Sequence, residues 1–239
     1  MSDATAPALP TYRLDDAVAV IAMDDGKANV MSTKVVETLE SHLDRALDDR
    51  ARALVIAGRP GKFSAGFDLG EMTASAESMR SLVVAGARWM LRLYGYGMPT
   101  VAASTGHALA AGALTLLSCD VRVGADVPSK IGLNEVAIGM ALPKFAVEFA
   151  RDRLVREAFG PSTMGAQVYD PAGAARVGYL DQVVAEDAVL DTAMAEARRL
   201  GEIRTGAYAA TKLNLRAAMI ESQLAVLVED MDSIEVPKV

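Results

Sequence analysis

The chain has 239 residues, of which 51% are hydrophobic, and its formal net charge is −7. This length and apolar content suit one large α/β domain, or one domain with a helical appendage. The negative charge disfavours nucleic acid and anionic membranes as partners, and no apolar run approaches the roughly 20 residues of a membrane span. The lone Cys119 excludes an intrachain disulfide and is expected to be buried and inert. With two histidines in the chain, no metal site is expected on the usual ligand spacings.

The first eleven residues, 1–11, contain no basic region followed by an apolar core. We therefore predict a flexible lead-in without a secretory signal, and a cytoplasmic protein. Tyr12–Leu14 and Ala17–Met23 are then predicted as two strands that turn at Asp15-Asp16. A cap candidate, Ser32 or Thr33, precedes an amphipathic helix.

Three further runs, Ala53–Ala57, Thr100–Ser104 and Asp120–Gly124, predict strands, and the continuous apolar run Ala53–Ala57 is predicted to be parallel and buried on both faces. Helical patterns separate them, and this alternation argues for βαβ units. From Ala188 onward the sequence is almost entirely helical, with a break near residues 201–206. The last helices carry more apolar positions than one exposed helix needs, so we expect them to pack against another element or another subunit. These positions are Leu213, Leu215, Ile220, Leu224, Leu227 and Val228.

One stretch, Ala108–Asp120, begins with small residues and then becomes apolar. It follows a predicted strand and opens a helix, so the unpaired N–H groups of the first helical turn can face a ligand. A tightly packed strand–helix turn without a ligand explains the same residues. A second stretch, Lys62–Met72, also leaves a strand through a glycine-containing loop. Two such loops can each donate one N–H to a single oxygen, which is an oxyanion hole.

These stretches resemble motifs of the crotonase superfamily, the enoyl-CoA hydratases and isomerases. The resemblance rests on Phe63–Leu69, on Gly106–Gly112 followed by Ser118-Cys119-Asp120, and on Ile131–Gly139. It implies an α/β fold, a crotonase-like spiral of ββα units with a C-terminal helical trimerisation region. The implied division is a core over residues 12–185 and an oligomerisation region over 186–239, forming a homotrimer or a dimer of trimers.

The resemblance also implies catalytic groups. The oxyanion-hole donors are the N–H groups of Phe67 and Ala111, and the candidate base is Glu135, whose apolar or neutral neighbours would raise the pKa of a carboxylate. Alanine at 111 keeps its N–H, provided that the backbone there does not need positive φ. Taken alone, Glu135 is equally compatible with a surface carboxylate that follows a strand.

The important departure from the family pattern is Leu114, where hydratases carry a second glutamate. Leu114 cannot hold a water, so the sequence favours reactions that need one base. Glu148, Asp68 and Thr115 are alternative polar candidates, each expected to be structural, and His107 is expected to be a packing residue.

For coenzyme A, the resemblance implies binding groups at Lys27, Ala28 and Ala65, with Leu69 beside them. Further positive charge is available from Arg59, Lys62 and Lys212, although all these cations also suit a plain surface. The predicted substrate pocket contains Leu114, Met72 and Trp89.

The sequence therefore predicts an enzyme that processes acyl-CoA thioesters without a permanently bound cofactor. Isomerisation of a double bond from C3 to C2 is favoured over hydration. The alternatives are a 2-enoyl-CoA hydratase with an atypical second residue, a thioester hydrolase of the same fold, or a non-catalytic acyl-CoA binding protein.

Overall fold

The computed structural model describes residues 8–234. Most of the predicted flexible segment 1–11 therefore lies outside the described residues, and Thr11 already belongs to a strand. The strands are β1 (Thr11–Asp15), β2 (Val18–Ala22), β3 (Val30–Met31), β4 (Ala53–Ala57), β5 (Gly61–Ser64), β6 (Gly66–Phe67), β7 (Thr100–Ser104), β8 (Gly106–Leu109), β9 (Val121–Ala125), β10 (Ile131–Gly132) and β11 (Gln182–Val184).

Six strands form the main sheet in the order β1-β2-β4-β7-β9-β11. The β1–β2 pair is antiparallel and the other pairs are parallel. Along β2, Ala19 and Ile21 face one hydrophobic cluster while Val18 and Val20 face another. The central strands are thus buried on both faces, as their continuous apolar sequences predict.

Smaller parallel sheets stand beside the main one, in the orders β10-β8-β5 and β3-β6. Each of β4, β7 and β9 is followed in the chain by a strand of the three-stranded sheet. This doubling of strands produces the predicted ββα repeat. The short strands β5, β6 and β8 lie in segments that the sequence patterns assigned to loops.

Helices cover both faces of the main sheet. The α-helices are α1 (Thr33–Asp48), α2 (Leu69–Ala74), α3 (Ala76–Tyr94), α4 (Ala111–Ser118), α5 (Lys144–Arg153), α6 (Arg156–Ser162), α7 (Pro171–Val177), α8 (Val189–Gly201) and α9 (Thr205–Asp232). Ser32 caps α1, since its side chain accepts a hydrogen bond from the Val35 N–H at 3.2 Å. Of the two predicted cap candidates, Ser32 and Thr33, the helix uses Ser32.

Helix α8 covers the second face of the sheet with buried Val189, Ala193, Met194 and Ala197. It is therefore part of the core, although the predicted boundary at 185/186 put it in the oligomerisation region. Helix α9 folds back over α3 and α5. Leu227 and Met231 of α9 are buried in the main cluster, so part of the predicted apolar surface of α9 is covered within the chain.

Candidate active site

The two glycine-containing stretches meet where β6 ends and α4 begins. A Cβ added at Gly66 would lie 3.0 Å from the Cβ of Ala110 and 3.4 Å from the nitrogen of Ala111. One at Gly112 would collide with the carbonyl oxygen of Ser64. Side chains at these two positions would force the segments apart, so the small residues let the Gly66 backbone approach that of Ala111. Phe67 follows Gly66 directly in the chain.

The first turn of α4 leaves backbone donors unused by the helix. Its first intrahelical hydrogen bond runs from the Leu114 N–H to the Ala110 carbonyl at 3.0 Å, so the N–H groups of residues 111–113 have no acceptor within the helix. Ala111 itself is helical, whereas Ala110 has φ +50° and ψ −123°. The strained, positive φ is therefore at Ala110, and the predicted donor, Ala111, does not need the conformational freedom of glycine.

A cavity of about 170 Å³ opens beside this junction. It is lined by side chains from both loops, from α3 and from the segment that leads into α5. The lining residues are Ala65, Phe67, Leu69, Met72, Val83, Ala110, Leu114, Asn134, Glu135, Ile138, Met140, Pro143 and Phe145. Apart from Asn134 and Glu135, these side chains are apolar, which suits a hydrocarbon ligand.

Glu135 reaches this cavity from the residue just before a short 3₁₀ turn, Val136–Ile138. Its residue surface is 6% exposed, and its Oε2 is buried without a hydrogen-bond partner among the described residues. Burial raises the pKa of Glu135 to about 7. Among the described residues that line the cavity, Glu135 alone is ionisable, so it is the one side chain there that can accept and return a proton.

The other polar candidates have structural partners. The Asp68 side chain caps α2 by accepting a hydrogen bond from the Glu71 N–H at 2.9 Å, and Glu148 pairs with Arg151 at 3.2 Å. Thr115 donates to the Ala111 carbonyl at 2.8 Å. His107 Nδ1 accepts from the Lys130 N–H at 3.0 Å, which agrees with a packing role.

The sequence profile of the enoyl-CoA hydratase/isomerase family matches residues 13–234. The chain belongs to this family. Human mitochondrial enoyl-CoA delta isomerase 1 is 32% identical over 205 residues, which are 84% of this chain and 68% of the human protein.

Solved structures agree with this assignment. An enoyl-CoA hydratase/isomerase family protein from Pseudomonas syringae superposes with a TM-score of 0.91 at 40% identity, over 94% of this chain and 97% of that one. An enoyl-CoA hydratase from Mycobacterium marinum gives 0.89 at 36% identity, over 95% and 99%. The protein is therefore a crotonase-fold enzyme of the enoyl-CoA hydratase/isomerase family. Because its relatives include both isomerases and hydratases by name, the choice between the two reactions rests on the cavity.

Most residues that family resemblance assigns to the site lie together. Ala65, Leu69, Met72 and Leu114 line the cavity with Glu135. The remaining pocket residue, Trp89, does not line it. Trp89 is 1% exposed within the main hydrophobic cluster, so it packs in the core and its place in the pocket stays a prediction.

The predicted coenzyme A loop is compact. The Ala65 N–H donates to the Ala28 carbonyl at 3.0 Å, and Arg59 donates to the Lys27 carbonyl at 3.0 Å. Lys27 is exposed and Lys62 half-buried, so their charges are available next to this loop. Lys212 is not available, since its Nζ is buried and bonded to the Tyr96 and Met98 carbonyls and to Asp120.

Sequence reasoning missed the far wall of the cavity. Val83 comes from α3, and Ile138, Met140, Pro143 and Phe145 follow Glu135 in the chain. No pattern in the sequence indicates that the core position Phe145 adjoins a cavity.

Residues 8–234, which the structure describes, contain neither a candidate metal site nor a candidate membrane-spanning helix. No cluster of three or more metal-ligating side chains occurs among them. None of their helices is long and apolar enough to cross a membrane.

Proposed function

We propose that this enzyme isomerises 3-enoyl-CoA thioesters to 2-enoyl-CoA thioesters with Glu135 as its single base. The observation that carries the proposal is the composition of the cavity. Glu135 is the one ionisable side chain among the described lining residues, and Leu114 lines the same cavity. The resemblance to the family implies that hydratases carry their second glutamate at the position of Leu114. Moving a double bond requires one group that removes and returns a proton, whereas adding water also requires that a water be held and activated.

The oxyanion hole supplies the electron sink. The thioester oxygen accepts hydrogen bonds from the N–H groups of Phe67 and Ala111, and the close approach of Gly66 to Ala111 supports this pairing. As Glu135 takes a proton from C2, the electron pair moves toward this oxygen and a dienolate forms. Each such donor typically contributes about 3–4 kcal/mol to the transition state.

Glu135 then returns the same proton to C4. The double bond between C3 and C4 is lost, one between C2 and C3 forms, and the carboxylate is regenerated. The reaction is balanced without a cofactor or a co-reactant. A base with a pKa of about 7 suits both halves of this exchange at neutral pH, since it is partly ionised and still a competent acid.

The nucleotide of coenzyme A would lie at the loop formed by Lys27, Ala28 and Ala65. Lys62 and Arg59 lie beside this loop, and positive charge there suits phosphates on a chain whose net charge is −7. Arg59 also pairs with Asp24 at 2.9 Å. A cytoplasmic location remains a prediction from the sequence.

We also propose a homotrimer, alone or as a dimer of trimers. Helix α9 leaves four large apolar side chains exposed, and surface of this kind is typical of interfaces. They are Leu213 (49%), Leu215 (78%), Leu224 (45%) and Val228 (55%). Light scattering at micromolar concentration is expected to give a trimer or hexamer mass, and a stable monomer would refute this.

The test of the reaction follows both substrates. Purified enzyme is incubated separately with 3-hexenoyl-CoA and with 2-hexenoyl-CoA, and products are separated by chromatography and mass. We expect isomerisation to be much faster than addition of water, and Leu114→Glu to raise the hydration rate above that of the wild type.

Efficient hydration by the wild type would overturn the single-base assignment. Tight binding of both thioesters without turnover of either would support a non-catalytic binding protein instead. Release of free coenzyme A would indicate thioester hydrolysis.

A further inference from the structure

The C-terminal end of α9 meets the N-terminal end of α5. The Asp230 Oδ2 accepts a hydrogen bond from the Lys144 N–H at 2.7 Å, and the Lys144 Nζ lies 3.4 Å from Oδ1 of the same carboxylate. The Asp230 side chain is 8% exposed. A buried carboxylate in this position is costly unless hydrogen bonds and charge compensate it.

Helix α5 has no cap of its own. Its N-cap residue is Pro143, which makes no side-chain hydrogen bond to the helix, while the first-turn N–H groups need acceptors. Asp230, 86 residues further along the chain, supplies the missing acceptor. A carboxylate at this end also interacts favourably with the helix dipole.

The capped turn forms the far wall of the acyl cavity. Pro143 and Phe145 flank Lys144 in sequence, and both line the cavity. The same end of α9 is tied to α3, since Arg80 donates to the Met231 carbonyl at 3.2 Å and to the Asp232 carbonyl at 3.3 Å. Helix α3 contributes Val83 to the cavity, so one helix end holds two wall segments.

The size of this cavity sets an expectation for its ligand. An apolar protein cavity of about 150 Å³ holds a benzene molecule, and this one measures about 170 Å³. With its wall in place, it accommodates an acyl group of about six carbons.

We propose that Asp230 is a positioning residue that determines acyl-chain specificity. It acts through the Lys144 N–H, by fixing the first turn of α5 so that Pro143 and Phe145 restrict the site to short acyl groups. This inference rests on the proposed acyl-CoA function, but it concerns chain length and not the reaction.

Binding of saturated thioesters tests the inference without requiring turnover. Calorimetry with hexanoyl-CoA and dodecanoyl-CoA gives the ratio of the two dissociation constants for the wild type and for Asp230→Ala, Asp230→Asn and Arg80→Ala. We expect the wild type to prefer hexanoyl-CoA. Asp230→Ala should shift this ratio toward dodecanoyl-CoA by about tenfold, the size of effect typical of a changed hydrophobic pocket.

The other variants distinguish positioning from general damage. Asp230→Asn keeps an oxygen that accepts from the Lys144 N–H, so its ratio should stay within about twofold of the wild type. Arg80→Ala should shift the ratio in the same direction as Asp230→Ala, and it remains informative if Asp230→Ala does not fold. Arg198→Ala breaks an exposed ion pair with Asp15, and neither residue lines the cavity. This control should leave the ratio of the two dissociation constants unchanged.

A wild type that binds both chains equally, or an unchanged ratio in folded Asp230→Ala and Arg80→Ala, would overturn the inference. Binding of both thioesters with no turnover of the enoyl forms would instead remove the proposed reaction and leave this inference standing. Absence of any thioester binding would remove both.

Discussion

Two buried carboxylates in this enzyme have opposite surroundings. Asp120, at the end of α4, accepts hydrogen bonds from Lys212 at 2.6 Å, Arg216 at 2.7 Å, Tyr208 at 2.9 Å and the Thr100 N–H at 2.9 Å. Burial by itself would raise the pKa of Asp120, but the charges of Lys212 and Arg216 and these hydrogen bonds hold the pKa below its ordinary value. Within residues 8–234 the Glu135 side chain has no such partners, and burial raises its pKa to about 7.

The difference distinguishes a structural carboxylate, Asp120, from the proposed catalytic base, Glu135. The chain surrounds a buried charge with donors where Asp120 fixes α9 to the core. At Glu135 it leaves Oε2 without a donor among the described residues. An uncompensated buried carboxylate lowers stability, and its position beside an apolar cavity supports the proposed role of Glu135 as a proton acceptor.

Removing the proton acceptor should give the largest effect. Glu135→Gln keeps the size of the side chain but cannot accept a proton, so turnover of a 3-enoyl-CoA should fall by about 10²–10⁴-fold with similar substrate binding. Glu148→Gln, which alters a carboxylate paired with Arg151 on the surface, is the matched control and should retain activity. Steady-state kinetics with both variants checks this, and an active Glu135→Gln would mean that another group is the base.

Neutralising the structural carboxylate should affect stability instead. Asp120→Asn leaves Lys212 and Arg216 without their counter-charge in a buried setting, which typically costs about 3–5 kcal/mol. Asp15→Asn is the control, because Asp15 also pairs with two arginines but is 34% exposed, so water screens its charge and the substitution should cost much less stability than Asp120→Asn. Urea unfolding gives the free energy of unfolding of each variant. Equal decreases for Asp120→Asn and Asp15→Asn would show that the buried ion pairs of Asp120 stabilise the fold no more than the exposed pairs of Asp15.

The two carboxylates should also differ in how pH changes stability. The folded-state pKa of Glu135 lies above its ordinary value of 4.5, so the folded state holds this proton more tightly than the unfolded state. Its ionisation therefore destabilises the fold progressively as pH rises from 4.5 to about 7.

Glu135→Gln should consequently be more stable than the wild type above neutrality. The expected advantage is about 2 kcal/mol larger at about pH 8 than at about pH 5. Thermal or urea unfolding at the two pH values measures the stability of Glu135→Gln relative to the wild type. A stability difference that does not change with pH would contradict an unpaired, buried Glu135. Asp120, whose folded-state pKa is lowered, contributes in the opposite direction, with stability that is lost as pH falls.

Much of the fold was predictable because its signals are local. Continuous apolar runs such as Ala53–Ala57 predict strands buried on both faces, and a cap candidate at Ser32 or Thr33 before an amphipathic pattern predicts the start of α1. The junction of the two loops was predictable from Gly66 and Gly112, since small residues at strand–helix turns mark a close backbone approach.

The remainder depends on contacts between distant parts of the chain. Lys212 resembles a surface cation in sequence, and only the fold brings it to Asp120. Trp89 is one of several apolar residues on α3, and which of them faces the cavity depends on the rotation of that helix against its neighbours. The capping of α5 by Asp230 likewise joins residues 86 positions apart, so no local pattern indicates it.

The pH dependence of kcat/KM for a 3-enoyl-CoA tests the central claim most directly, because this parameter reports ionisation of the free enzyme. We predict that kcat/KM rises with pH through an apparent pKa of about 7, the value for buried Glu135, and that Glu135→Gln removes this limb from whatever activity remains. A profile that is already flat down to about pH 5, as an exposed glutamate would give, would contradict a single buried base at Glu135.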